Sequence, residues 1–221
     1  MKAYILIPAY NEEKSIGRVI EDLKKEGYKD VLVVDDGSKD DTSKIAKSKG
    51  AVVLRHLINR GQGAALQTGM SYLKDKADVV VHFDADGQHD ARQIKRFLAK
   101  IKKFDVVLGS RFLDDTTKLP FSKRVMFKGA LFVSFFMSGL WLSDTHNGFR
   151  ALNKKALNKI YLKQDDMAHA TEILEQIKIN KLKYAEVPVT ITYSNYSMNK
   201  GQSVFNSVKI LFKNFYFKFL K

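Results

Sequence analysis

Short β-branched runs alternate with helix-period segments along the first half of this chain, and that alternation restricts the fold more than any other feature. Residues 3–8, 30–34, 51–54, 79–83 and 105–108 read as strands, each a brief apolar run bounded by polar residues. Between them, residues 15–26, 42–49, 63–73 and 93–101 read as helices. In the first, Ile16, Val19, Ile20 and Leu23 recur at i, i+3, i+4 and i+7, and Gly27 stops it. Strands joined by helices of this length imply an α/β fold with a mostly parallel central sheet flanked by helices. The second half reads differently. Residues 122–142 form a Phe-rich apolar stretch, 185–193 alternate around Pro188 as an edge or late strand, and 203–220 are helical. No Pro/Ser-rich linker divides the chain. The expected organisation is one domain over 1–202, with a C-terminal amphipathic helix over 203–221 that is part of it or appended to it.

Open α/β sheets bind ligands at the carboxyl ends of their strands, and polar chemistry collects there in this sequence. The first strand runs into Pro8-Ala9-Tyr10-Asn11-Glu12, the second into Val34-Asp35-Asp36-Gly37-Ser38, and the fourth into Asp84-Ala85-Asp86-Gly87-Gln88. Two carboxylates one residue apart are hard oxygen donors suited to Mg²⁺ or Mn²⁺, and such a cation commonly serves a diphosphate. Glu12 or Asp36 can accept from a base or ribose, and Tyr10 can cover a base. A dinucleotide-binding Rossmann turn is excluded, because no G-x-G-x-x-G follows the first strand, and no P-loop is present. The chain has no cysteine, which removes disulfides, zinc–thiolate sites and cysteine nucleophiles and fits a reducing cytoplasm. The first ten residues read as a strand, with no signal peptide.

The net charge is +14, and it is lopsided: after position 100 there are twenty basic and nine acidic residues. A balanced first half with a basic, aromatic second half points to an anionic surface or phosphorylated ligand met by one side of the molecule, not to nucleic acid.

Taken together, PAYNEE, VVDDGSKDDT, NRGQGAAL, DADGQH and GSRF resemble the inverting nucleotide-sugar glycosyltransferases of family 2, which have a GT-A fold. The resemblance covers most of the chain, in the family's order and spacing. It implies that Pro8, Tyr10, Glu12, Val34 and Asp36 contact the nucleotide. It also implies that the Asp84-Ala85-Asp86 stretch lies at the donor diphosphate, with Asp86, Gln88 and Asp84 near the metal. Gly109-Ser110-Arg111-Phe112, Ser122-Lys123-Arg124 with Lys128, and Asp144-Thr145-His146-Asn147-Gly148-Phe149-Arg150 are similar to the dolichol-phosphate mannose synthase and polyprenyl-phosphate glycosyltransferase branch. That likeness implies a lipid-phosphate acceptor held by Arg111 and Arg124, and Lys128, one turn beyond Arg124 if the segment is helical, could face the same anion. Where that branch carries an Arg and a Lys around a loop glycine, this chain has Met198 and Val204 around Gly201, with Lys200 left to meet the diphosphate. UDP- and GDP-linked sugars both stay open.

A phosphate acceptor is already an anion at neutral pH and needs no general base, so basic residues that position it complete the catalyst. If the acceptor is a saccharide hydroxyl instead, Asp144 is the base candidate. The stretch 129–142 would span about 21 Å as a helix, short of a hydrocarbon core of roughly 30 Å. The C-terminal helix is basic and amphipathic, with Val204, Val208, Leu211, Phe212, Phe215 and Phe219 on one face. It reads as a peripheral contact with the cytoplasmic membrane face, although core docking or a homo-oligomer contact would use the same face.

Overall fold

The computed structural model describes residues 1–113, 139–145 and 147–192. The expectations for Arg124, Lys128, Lys200 and the helix over 203–221 lie outside the described residues. So does nearly all of the apolar stretch over 122–142.

Seven strands form one sheet: β1 (Ala3–Ala9), β2 (Val31–Asp35), β3 (Val52–Arg55), β4 (Val79–His82), β5 (Val106–Ser110), β6 (Arg150–Asn153) and β7 (Tyr184–Pro188). Their order is β3-β2-β1-β4-β6-β5-β7. Every strand but β6 runs the same way, and β6 is antiparallel to both β4 and β5. Helices α1 (Ile16–Lys25), α2 (Thr42–Ser48), α3 (Gln62–Leu73) and α4 (Ile94–Lys100) are the crossovers between parallel strands, and a 3₁₀ turn, Ala91–Gln93, leads into α4. Two further helices, α5 (Lys154–Lys159) and α6 (His169–Ile179), lie between β6 and β7.

The five strands and four helices expected in the first half are present within a few residues of their expected ends, and β7 is the edge strand expected near Pro188. The expectation missed β6, α5 and α6.

The pleat divides the core into two layers. On β1, Ile5 and Ile7 face one side and Leu6 the other. The first layer packs Ile16, Val19, Ile20 and Leu23 of α1 and Ile94 and Phe97 of α4 against the sheet. The second packs Ala65, Leu66, Met70 and Leu73 of α3 with Ile173, Leu174 and Ile177 of α6. All five residues of β2 are buried, which explains their unbroken apolar run.

The strand order reverses between β1 and β4. The chain winds outward from β1 through β2 to β3, then returns to place β4 on the other side of β1. A parallel sheet leaves its ligand crevice at that reversal, so the ends of β1 and β4 frame the site.

Close backbone approach fixes the N-terminus of α3. A methyl group on Gly63 would overlap the carbonyl oxygen of Gln164, and the Ala64 N–H donates to the Asp165 carbonyl at 3.1 Å. Gly63→Ala should therefore lower the unfolding free energy by about 1–3 kcal/mol in urea denaturation, because backbone must move to admit the methyl. An unchanged midpoint would show that the 164–166 segment yields freely.

Candidate active site

The loops after β1 and β2 are laced together. Asn11, at φ 52°, donates its N–H to Ser38 Oγ at 2.9 Å and accepts from the Lys39 N–H at 2.8 Å. The Glu12 N–H donates to Thr42 Oγ1 at 2.8 Å, and the Glu12 carboxylate accepts from Ser15 Oγ at 2.6 Å. Asp35, fully buried, accepts from the Ser38 N–H and from Ser43 Oγ, which braces the turn into α2. Pro8 and Val34 are register partners and buried, so they form the floor. Tyr10 is 40% exposed and free to cover a flat ligand.

Asp36, expected at the nucleotide, also holds the segment that leads into α3. Its carboxylate accepts from His56 Nδ1 at 2.6 Å, from the Arg60 N–H at 3.0 Å and from the Gly61 N–H at 2.7 Å. It ties the segment before α3 to the end of β2.

Past β4, Asp84 and Asp86 occupy different surroundings. Asp84 Oδ1 accepts from Gln62 Nε2 at 3.2 Å, and Oδ2 lies 2.8 Å from His89 Nε2. The backbone at Gly148 closes on the same carboxylate, since a Cβ there would sit 2.8 Å from Oδ2. Burial alone would lift the Asp84 carboxyl, but His89, Arg150 and His169 outweigh it and hold the group below the usual carboxylate range. Asp86 goes the other way: burial, then the charge of Asp84, pushes its carboxyl up, against one hydrogen bond from the Gln88 N–H at 3.0 Å. The Gln88 carbonyl accepts from the Thr192 N–H, which pins this loop to the segment after β7. Among the described residues no three His, Asp or Glu side chains converge as a ready-made metal cage.

Arg111, at the end of β5, meets Asp144 in a two-pronged pair. Its Nε lies 2.6 Å from Asp144 Oδ2 and its second terminal nitrogen 2.9 Å from Oδ1. Asp144 is 2% exposed at its side chain, Arg111 28%. Behind the pair, Glu186 on β7 accepts from the Ser143 N–H and Oγ, both at 2.9 Å. Burial, together with the negative charge of Asp144, raises the Glu186 carboxyl.

Sequence reasoning missed the groups beneath the site. Arg150 on β6 is buried beside His82 on β4, and its Nε donates to the Asn147 carbonyl at 2.9 Å. Burial lowers Arg150 to about 10, although Asp84 and Asp144 both favour its charge. Burial, with the nearby Arg150 charge, holds His82 at about 3 and His169 at about 4. Both histidines are therefore neutral in the folded protein at pH 5, while in the unfolded chain they take up protons below about pH 6.5. The unfolded state then binds more protons, so stability is full above pH 6.5 and falls as pH drops toward 4. The slope is on the order of 1 kcal/mol per pH unit for each histidine. Urea midpoints at pH 7 and pH 5 should differ accordingly, and equal midpoints would contradict the buried, neutral state.

The profile described as Glycosyl transferase family 2 matches residues 4–161. The chain belongs to that family. It is a glycosyltransferase, and its mixed sheet between helices is the GT-A-type fold of nucleotide-sugar transferases. A protein of Methanocaldococcus jannaschii described as uncharacterized is 41% identical over 95% of this chain and 89% of its own length. The UDP-N-acetylglucosamine–dolichyl-phosphate N-acetylglucosaminyltransferase of Methanococcus voltae is 34% identical over 95% of this chain and 93% of its own. Among solved structures, glucosyl-3-phosphoglycerate synthase of Mycobacterium tuberculosis superposes with a TM-score of 0.67 at 20% identity, over 93% of this chain and 74% of that one. At that identity the likeness carries the fold alone.

Proposed function

We propose that this family 2 glycosyltransferase is an inverting, metal-dependent enzyme that moves a sugar from a UDP- or GDP-linked donor to a polyprenyl- or dolichyl-type lipid phosphate. It would act at the cytoplasmic face of a membrane, within the polyprenyl-phosphate branch. The observation that carries this reading is the pairing of Arg111 with Asp144 at the end of β5, on the same sheet edge as Asp84 and Asp86. On this reading Arg111, held in place by Asp144, would serve the acceptor side and the carboxylates the donor side. The Methanococcus voltae relative, whose name includes dolichyl phosphate, supports the acceptor class.

The donor set fits a hard divalent cation. Asp84 and Asp86 are oxygen donors, and burial followed by the Asp84 charge raises the Asp86 carboxyl, which a cation would counter. Asp86 with Gln88 would hold it, Asp84 standing beside them, and the diphosphate would complete its shell. When bound, Mg²⁺ or Mn²⁺ would neutralise charge growing on the departing nucleoside diphosphate.

The chain's own residues do the rest. Tyr10 and the Pro8–Val34 floor orient the base end. Asp144 locks the Arg111 fork, and the planar guanidinium suits a phosphate oxygen. A phosphate monoester attacks as an anion, so no side chain need remove a proton. Asp144 is a poor base in this state because both of its oxygens already accept from Arg111. Arg124 and Lys128 would add charge on the acceptor phosphate, and Lys200 on the donor diphosphate. No described helix is long and apolar enough to cross a membrane. The segment over 203–221, whose sequence reads as a basic amphipathic helix, would attach peripherally.

The test is transfer of radiolabel from UDP- and GDP-sugars in the presence of polyprenyl phosphate, a soluble oligosaccharide or 3-phosphoglycerate. Label extracted into organic solvent only with polyprenyl phosphate is the expected result. Label confined to either soluble product would contradict the lipid-phosphate acceptor.

A further inference from the structure

His89 has no part in the reaction as written above, yet the fold holds it tightly. Its side chain is 3% exposed. The ring packs edge-on to Phe83 at 5.4 Å and tilted against Phe149 at 4.8 Å, and Phe149 stacks on Phe97 at 4.2 Å. The backbone at His89 bridges to Ile191 in antiparallel fashion. Of its two ring nitrogens, Nε2 meets Asp84, whereas Nδ1 is buried without a hydrogen-bond partner among the described residues. An orphaned buried nitrogen costs free energy, and an aromatic nest could be filled more favourably by Leu or Phe. What the histidine adds over an apolar side chain is the contact with Asp84.

On the other side of Asp84 stands Gln62, the first residue of α3. Its place is set by Asp36, which holds the Arg60 and Gly61 N–H groups just before it. The Asp84 carboxylate is thus gripped at one oxygen by a residue anchored in the aromatic core and at the other by a residue anchored to β2. Among the described residues Asp86 has no such grip beyond the Gln88 N–H in its own loop.

We propose that His89 is a positioning residue of the donor site, which with Gln62 clamps the Asp84 carboxylate in one orientation beside Asp86. This rests on the donor-site reading above. The two carboxylates divide the work: Asp84 is held by the protein, and Asp86 is left to meet the cation and diphosphate. A fixed Asp84 keeps its negative charge at a constant place next to the cation, so loosening it weakens the cation–diphosphate complex more than the nucleotide alone. Groups that orient a metal site in this way typically contribute 10- to 100-fold in affinity or activity.

The test compares calorimetric binding of UDP and GDP, each with and without Mn²⁺, in wild type, His89→Leu, His89→Gln and Gln62→Leu. Leu keeps the apolar packing and removes the contact, while Gln restores an N–H donor. The expected result is a 10- to 100-fold loss of Mn²⁺-dependent affinity in His89→Leu, with metal-free affinity changed less than about threefold. Partial recovery is expected in His89→Gln, and a smaller loss in Gln62→Leu. Equal Mn²⁺-dependent affinity in wild type and folded His89→Leu would overturn the proposal. So would parallel losses with and without metal that Gln does not rescue, since those mark packing alone. If His89→Leu fails to fold, Gln62→Leu decides, and unchanged Mn²⁺-dependent binding there overturns the clamp. A wild type that binds neither nucleotide in a metal-dependent way removes the donor-site reading itself, and the clamp with it.

Discussion

Asp86→Asn should lower kcat/KM by on the order of 100-fold or more while leaving the protein at least as stable as wild type. The loss follows from chemistry. The amide keeps the shape but not the charge, and electrostatic stabilisers of a departing anion typically carry effects of 10²–10³. Asp84 should not substitute, because Gln62 and His89 hold its carboxylate in its own place. The stability half has the opposite sign because burial and the Asp84 charge raise the Asp86 carboxyl. A carboxyl raised above its unfolded value is destabilising when ionised, so removing its charge relieves the folded state at neutral pH. Asp84→Asn should behave differently. It removes a carboxyl held below its ordinary range, whose ionised form contributes stability at neutral pH that is lost only under acid conditions. Denaturant midpoints of the two variants therefore move in opposite directions, and a shared direction would contradict the different roles assigned to the pair.

Arg111→Ala is the second large effect. It strips the two-pronged partner from Asp144, whose side chain is 2% exposed. Removing one partner of a buried ion pair costs about 3 kcal/mol or more. If Arg111 serves the acceptor as proposed, transfer should fall at the same time, because the guanidinium that would meet the phosphate is gone. Arg111→Lys keeps a charge but not the fork and should recover stability better than activity. The double variant Arg111→Ala with Asp144→Ala should be more stable than Arg111→Ala alone, since it removes the stranded charge. If Asp144 were instead a general base for a hydroxyl acceptor, kcat/KM would decline at low pH in wild type and that decline would vanish in Asp144→Asn. With a phosphate acceptor, the shape of the pH profile should survive in whatever activity remains.

The parallel strands could be read from sequence because burial on both faces leaves them nothing polar to carry. β2 is Val-Leu-Val-Val-Asp, apolar up to the residue that enters the site. β6 could not be read in the same way. Its four residues begin with Arg150 and end with Asn153, and Arg150 is tolerated in the sheet because Asp84 and Asp144, distant in the chain or across a turn, favour its charge. The stripe of Ala170, Ile173, Leu174 and Ile177 on α6 was a signal present in the sequence, and the reading passed over it. At the site, Asp84 and Asp86 stood out because a carboxylate pair ends an apolar run. Their unequal environments did not, because Gln62, His89 and Gly148 reach Asp84 only once β4 lies between β1 and β6. For the same reason the sequence did not show that the Asp36 carboxylate holds the segment leading into α3.

The most direct measurement is calorimetric titration of the wild-type protein with UDP and with GDP, each in the presence and absence of Mn²⁺. Binding of at least one nucleotide that Mn²⁺ tightens, and that Asp86→Asn abolishes, is the expected result. Binding of neither nucleotide, or binding indifferent to the metal, would contradict the assignment of Asp84 and Asp86 to a nucleoside-diphosphate site.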